Sequence, residues 1–347
     1  MAPKTPQLLV CKVRWAHLTI TAKFDEILVG WASRPPQKYN MLIISAKSGQ
    51  LGNRLLLFAN FIAWAIEHNF TVLNPAFDEY AKFFVGTAGD FLCCYPPPSF
   101  TAAGNKFVRS KYYNCINYLS KKKILKTQEI TRKEPFSWVK YQDIEQIKHS
   151  SIVCFQGWLF RDGWFVEDVP KLHQHADPIR AYFAPLERYI INVERLILNL
   201  KNNSDMLVGV HIRQGDYAQH QKGRYFYTTE QYLEIMNSVV RLFDGKTIKF
   251  LICSNIPQNQ SLFDNFNCGF GNGHLIEDMY ALAECDYVVG PPSSYTMWAS
   301  FYGDKPLYMI RNVNKTINLK DFVHFYEWQG IFHGRDDWSE SFWEWTH

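Results

Sequence analysis

Residues 41–53 read MLIISAKSGQLGN. Met41-Leu42-Ile43-Ile44-Ser45 is a continuous apolar run, the pattern of a strand buried on both faces. The glycines at 49 and 52 mark a loop, and beyond them the period changes. Leu55, Phe58, Ala59, Ile62, Ala63 and Ile66 recur at helical spacing and give one apolar face, with Asn53 placed to cap it. A second strand is predicted near Phe70–Leu73. Strand, glycine loop, helix, strand is the opening of a Rossmann-like parallel sheet.

Downstream the same alternation returns. Ile152–Gln156 reads as a buried strand and residues 177–200 as helical. From Met206 a second series begins: strand Leu207–Ile212, a capping box Thr228-x-x-Gln231 opening a helix, and strand Ile248–Cys253. Helix Asp278–Cys285, strand Asp286–Val289, helix Ser293–Phe301 and strand Leu307–Ile310 follow. The fold class is α/β. Two Rossmann-like domains are expected, 41–205 and 206–330, with ligands bound beyond the strands' carboxyl ends in the cleft between them. Residues 1–40 lack sustained periodicity and end in Arg34-Pro35-Pro36-Gln37. They read as an N-terminal extension, either a flexible arm or the product of a mis-assigned start, with Met41 the natural first residue. Residues 331–347 read as an aromatic, acidic tail. Trp328 just before it and Trp338, Trp343 and Trp345 within it either pack across the domain junction or line an acceptor groove.

Hydrophobic residues make up 47% and charged residues 20% of the 347, which points to a packed globular chain rather than a disordered one. A net charge of +4 is too small to imply a nucleic-acid partner. The charge is unevenly spread: residues 101–150 hold eleven Lys/Arg against four Asp/Glu, including Lys121, Lys122, Lys123 and Lys126. That stretch reads as a solvated helix face or as a peripheral contact with anionic lipid or an anionic acceptor. The eight cysteines form no C-x2-C pair and no zinc-like spacing, so free thiols in a reducing compartment are expected. The longest apolar run, Leu55–Ile66, is too short to span a bilayer. A cytoplasmic protein is expected, one that visits the inner face of a membrane if residues 101–150 bind lipid.

Three windows carry chemistry. In Val210-His211-Ile212-Arg213-Gln214-Gly215-Asp216-Tyr217 a buried strand ends in His, Arg and Asp around a glycine. Arg213 offers a planar fork of donors suited to phosphate oxygens, although an Arg–Asp pair pinning a loop has the same pattern. Pro291-Pro292-Ser293-Ser294-Tyr295-Thr296-Met297-Trp298 places two hydroxyls at a helix start, which suits an anion or an ordinary N-cap. Gly49-Gln50-Leu51-Gly52-Asn53 is neither G-x-G-x-x-G nor a P-loop, and no acidic residue stands near position 72 for a ribose. A nicotinamide dehydrogenase is therefore disfavoured. No Asp-x-Asp stands at a strand end to hold manganese.

Together these windows resemble the fucosyltransferases that share an H-x-R-R-G-D-Y signature, above all family 11, the α-1,2-fucosyltransferases. Gly49–Ala59 (GQLGNRLLLFA) is similar to that family's opening GGLGNQLFQYA, and Phe155–Phe165 (FQGWLFRDGWF) to its central stretch. His211–Tyr217 matches the donor motif. Phe250–Asn255 (FLICSN) and Ile276–Trp298 match the last two motifs, so the resemblance spans about residues 41–312. It implies a GT-B fold and inverting transfer of L-fucose from GDP-fucose to a glycan hydroxyl, with no metal and no cofactor beyond the donor. It also implies site roles: His211 and Asp278 at the guanine end, Arg213 at the diphosphate, Ser293 and Ser294 at phosphate, and Asp216 beside the reacting centre. Gly49, Gly52 and Asn53, from the opening motif, join the donor-binding residues across the cleft. Two departures stand out. Gln214 replaces the family's second arginine, and Pro291–Thr296 (PPSSYT) replaces S-N-S-S-F-S. Three alternatives remain open: a transferase of this fold with another GDP-sugar or linkage, a nucleotide-sugar-binding protein without turnover, and a nucleic-acid binder resting on 101–150 alone.

Overall fold

The computed structural model describes residues 41–98, 104–130, 152–157 and 171–325. The expectations for the extension 1–40, for the tail 331–347 with its tryptophans, and for the family-like stretch past Gly157 lie outside these residues.

Strand β1 (Met41–Ile44) runs parallel to β2 (Thr71–Leu73) on one side and β5 (Ile152–Gly157) on the other. An antiparallel edge strand β3 (Cys94–Tyr95) and a parallel β4 (Thr127–Ile130) complete the order β3-β2-β1-β5-β4. Flanked on both sides and covered on both faces, β1 has to be apolar throughout, which is why it reads as MLII.

The second sheet holds β6 (Met206–Ile212), β7 (Ile248–Ser254), β8 (Cys268–Phe270), β9 (Tyr287–Gly290) and β10 (Leu307–Met309). Its order is β10-β9-β6-β7-β8 and every pairing is parallel. The chain steps from β6 to β7 and β8 on one side, then returns to place β9 and β10 on the other. Connections that leave a strand in opposite directions open a crevice at its carboxyl end. Arg213 is the first residue past the end of β6.

Helix α1 (Leu51–His68) is buried on nearly all sides from Leu51 to Ala65, so it is an interior helix rather than a surface one. It begins at Leu51 with Gln50 in the N-cap position, so Asn53 lies inside the first turn and is not the cap. Gly49 has φ +61, and the Asn53 amide folds back against it, occupying the space that a side chain at 49 would need. A short α2 (Val85–Ala88) and the longer α3 (Lys106–Lys121) follow. The single helical stretch expected over 177–200 is two helices, α4 (Ala176–Tyr182) and α5 (Glu187–Lys201). Pro185 lacks the N–H that would continue the first, and Leu186 is extended.

Helix α6 (Thr229–Leu242) opens with the predicted capping box between Thr228 and Gln231. Helices α7 (Leu275–Ala283) and α8 (Ser294–Gly303) complete the second set. One continuous core runs from β1 and α1 through α4 to α7 and α8. Its middle is an aromatic relay: Phe58 lies edge-on to Phe183 at 5.4 Å, and Phe183 edge-on to Trp298 at 5.2 Å. The N-terminal helix and the C-terminal sheet's helices are therefore packed directly together.

Candidate active site

The carboxyl end of β6 and the loop after β1 open onto one cleft of about 570 Å³. That volume suits a ligand of nucleotide size. Gly49, Gly52, Asn53, His211, Arg213, Asp216, Asp278, Ser293 and Ser294 all line it. The nine residues singled out in sequence, drawn from four separate segments, thus share one wall system.

Arg213 stands in this cleft with its side chain 17% exposed. Its Nη2 donates to Asp216 Oδ2 at 2.8 Å and to Gln50 Oε1 at 3.3 Å, so the guanidinium is held from both halves of the protein. The guanidinium carbon also lies 5.3 Å from the Tyr217 ring centroid. Arg213 Nε is buried without a hydrogen-bond partner. A buried cationic donor left unmet is costly, and a bound anion relieves that cost. No other arginine or lysine lines the cleft among the described residues.

Beneath Arg213 the turn is fixed by its neighbours. Gly215 adopts φ +51, and Asn255 at the end of β7 accepts from the Gln214 backbone N–H at 2.8 Å. Gln214 itself faces inward. Its Nε2 donates to the Tyr227 carbonyl at 3.0 Å, and its Oε1 accepts from Gln258 at 2.9 Å. The side chain that replaces the family's second arginine therefore braces the loop and is absent from the cleft wall.

His211 is buried, with Nδ1 2.7 Å from Thr296 Oγ1 and its ring 4.8 Å from that of Tyr295. Burial, aided by the Arg213 charge, pushes its pKa down to about 3, so the imidazole is neutral near pH 7. Asp278 on α7 is 5% exposed, and burial raises its pKa to about 6. The backbone at Asn272 and Gly273 acts against that shift, and Glu277 adds to it. Asp278 Oδ1 has no hydrogen-bond partner. A buried, unsatisfied carboxylate oxygen on a cleft wall is suited to a ligand that presents N–H donors.

Ser293 caps α8, accepting from the Tyr295 N–H at 3.2 Å, and Ser294 begins the helix. The cleft thus receives the positive end of a ten-residue helix. Tyr217 Oη donates to the Pro292 carbonyl at 2.7 Å and ties the Arg213 loop to this helix start. Gly52 allows α1 to approach closely: a Cβ there would sit 2.6 Å from the Ser294 carbonyl carbon and the Tyr295 nitrogen.

Several lining residues escaped the sequence reading, among them Gln50, Tyr80, His220 and Tyr225. His220 stacks on Tyr217 at 5.2 Å, and partial burial lowers its pKa. Its place three residues past the motif was the only signal available. Tyr80 carried none, because it reaches the cleft through a turn after β2 whose position depends on the sheet. Among the described residues, no three His, Cys, Asp or Glu side chains gather as a metal-binding group. None of the described helices is long and apolar enough to cross a membrane. The seven described cysteines are unpaired.

Comparison with known proteins adds a family. The model for glycosyl transferase family 11 matches residues 132–332, more than half of the chain. The match takes in the His211–Tyr217 and Ile276–Trp298 windows and begins after the Gly49–Ala59 segment. No curated protein matches in sequence. Among solved structures, a mutant of Arabidopsis thaliana FUT1 in complex with GDP superposes with a TM-score of 0.51 at 15% identity, covering 81% of this chain and 73% of that one. NodZ α-1,6-fucosyltransferase soaked with GDP-fucose gives 0.49 at 14% identity, over 82% and 97%. NodZ from Bradyrhizobium gives 0.47 at 16%, over 76% and 93%. At these identities the first likeness speaks to the fold alone.

Proposed function

Because the chain belongs to glycosyl transferase family 11, we propose that it transfers L-fucose from GDP-fucose to a hydroxyl of a glycan acceptor, inverting the anomeric carbon and forming an α-1,2 linkage without a metal. The proposal includes a GT-B arrangement, with 41–205 as the acceptor side and 206–330 as the donor side. The GDP complex of the similar Arabidopsis thaliana structure supports a GDP-linked donor. The observation that carries the reading is the Arg213 guanidinium, held in the cleft between Asp216 and Gln50 with its buried Nε unmet.

The geometry supports the roles that the resemblance implies. Guanine presents N1–H and N2–H donors, and Asp278 Oδ1 is the buried acceptor waiting for such an edge, with neutral His211 lining the same cleft. As the acceptor hydroxyl attacks C1, the bond from C1 to the β-phosphate oxygen breaks and GDP leaves with the electron pair. Charge grows on that phosphate where Arg213 and the α8 N-terminus can meet it, a task that a divalent cation performs in other transferases. Asp216 keeps its Oδ2 on Arg213, and its Oδ1, which accepts only a long 3.5 Å bond from Asn255 Nδ2, is the oxygen that takes the acceptor proton.

A second reading, the same fold with another GDP-sugar, draws on Gln214, whose inward turn leaves one motif guanidinium in the cleft instead of two. Incubation with GDP-fucose or GDP-mannose and a glycan panel, with NMR linkage analysis of the product, separates the readings. An α-1,2-fucosylated product supports the first. Transfer from GDP-mannose alone would replace it with the second, and tight GDP binding without turnover would make the chain a binding protein.

A further inference from the structure

Helix α3 and the turn after it carry a surface that the cleft does not use. Residues 104–126 contain six lysines, Lys106, Lys111, Lys121, Lys122, Lys123 and Lys126, and no Asp or Glu. All six are exposed. The segment's arginine, Arg109, is the exception: it is buried and donates to the carbonyls of Thr87, Ala88, Asp90 and Gly104. Large apolar side chains stand among the lysines. Phe107 is 67% exposed, Tyr118 58% and Ile124 64%.

The spacing sorts Phe107, Lys111, Tyr118 and Lys121 onto one face, and Lys122, Lys123, Ile124 and Lys126 extend the exposed surface past the helix end. Phe107, Lys111, Asn114, Tyr118 and Lys121 recur at intervals of four, three, four and three, which is one stripe of an α-helix, and all five are exposed. The opposite face is pinned to the protein. Asn117 donates to the Ser45 carbonyl at 2.8 Å, Ser120 Oγ lies 2.9 Å from Ser45 Oγ, and the Tyr113 ring sits 4.5 Å from Lys47 Nζ. The stripe therefore points outward as a rigid unit, held at the carboxyl end of β1, the strand whose following loop enters the cleft.

We propose that this face is a docking surface for an anionic lipid bilayer. A solvated helix surface ordinarily mixes both signs of charge, whereas every exposed charge of residues 104–126 is positive. Lysines near a membrane gain from the negative potential of anionic headgroups. Phe107, Tyr118 and Ile124 would lie at the headgroup–acyl boundary, where aromatic and aliphatic groups leave water while the lysine stems reach back to phosphate. Charge complementarity selects the lipid, and the apolar side chains among the lysines favour a bilayer over a soluble polyanion. The assignment stands apart from the identity of the transferred sugar.

The test is sedimentation of the full chain with phosphatidylcholine vesicles prepared with and without phosphatidylglycerol. Binding is expected only with phosphatidylglycerol, and it weakens as salt is raised. Removing each lysine costs roughly fivefold in partitioning, so Lys111→Glu with Lys121→Glu and Lys122→Glu abolishes it. Phe107→Ser with Tyr118→Ser leaves the charge unchanged and costs about tenfold. Because these side chains are exposed, circular dichroism and melting of each variant should match the wild type. Equal binding to neutral vesicles, no binding to anionic ones, or indifference to the lysine reversals overturns the proposal. Full binding by the aromatic variant, together with displacement of the wild type from vesicles by RNA, would also overturn it and make the face a general polyanion site.

Discussion

Arg213 and Asp278 give the cleft its electrostatic character, and each supports a measurement. Arg213→Ala removes the full charge that meets the leaving phosphate, so turnover should fall by ~10²–10³ or more. The melting transition should stay close to wild type, because the lost ion pair with Asp216 is partly exposed. Comparing kcat and thermal unfolding for the variant checks both statements, and near-normal turnover would remove Arg213 from the mechanism. For Asp278 the sign follows from its raised pKa of about 6 against the ordinary 3.8. The folded protein holds a proton on this group that the unfolded chain has released, so its contribution to stability is lost as pH rises between those values. A ligand that donates N–H bonds needs the ionised form, so binding strengthens as pH rises through about 6 and levels off above. Guanosine is the appropriate probe because it has no phosphate to titrate. Calorimetry from acid to neutral pH should show this rise, and Asp278→Asn should flatten it, weaken binding and raise the melting temperature near pH 7.

The junction of α1 and α8 is the critical contact at the level of elements. Gly52 leaves no room for a methyl group, and the atoms in the way are backbone atoms of α8 that cannot rotate aside. Gly52→Ala should therefore push the two helices apart and destabilise the fold by about 2–3 kcal/mol, read from chemical denaturation. The α8 N-terminus would move with it, so GDP binding should weaken even though no donor has been removed. Unchanged stability would mean that the helices can separate freely and that the cleft's two walls are not coupled here. The alternating series of strands and helices was legible because each element carries its own period. Helix α3 was legible only as a charged helix face without bounds: its inner face mixes the packing of Tyr113 and Ile116 with hydrogen bonds from Arg109, Asn117 and Ser120, and the 3.6-residue apolar pattern is correspondingly faint. The break between α4 and α5 was marked by Pro185, yet the residues on both sides remain helical in composition.

The cleft lies where the loop after β1 meets the carboxyl end of β6, with α1 packed against α8 beside it. Among the described residues its positive charge comes from one guanidinium and one helix end, both built from the chain itself. If those groups suffice for the departing GDP, activity should persist unchanged in EDTA. A strict requirement for added Mn²⁺ would show that they do not. The cross-cleft contact between Gln50 and Arg213 belongs to this scale as well, since 163 positions separate the two residues.

The family resemblance assembled the nine residues that share the cleft; local pattern was enough to establish the α/β class, the capping box at Thr228 and the strand that delivers Arg213. Each follows from a period or a motif within a few neighbouring residues. Packing alone decided that Asn53 folds onto Gly49 instead of capping α1, that Gln214 turns inward to brace Tyr227 and Gln258, and that Gln50, Tyr80 and His220 join the wall. A side chain's direction at a loop is set by whichever buried partners the fold brings to it, and those partners lie far away in the chain.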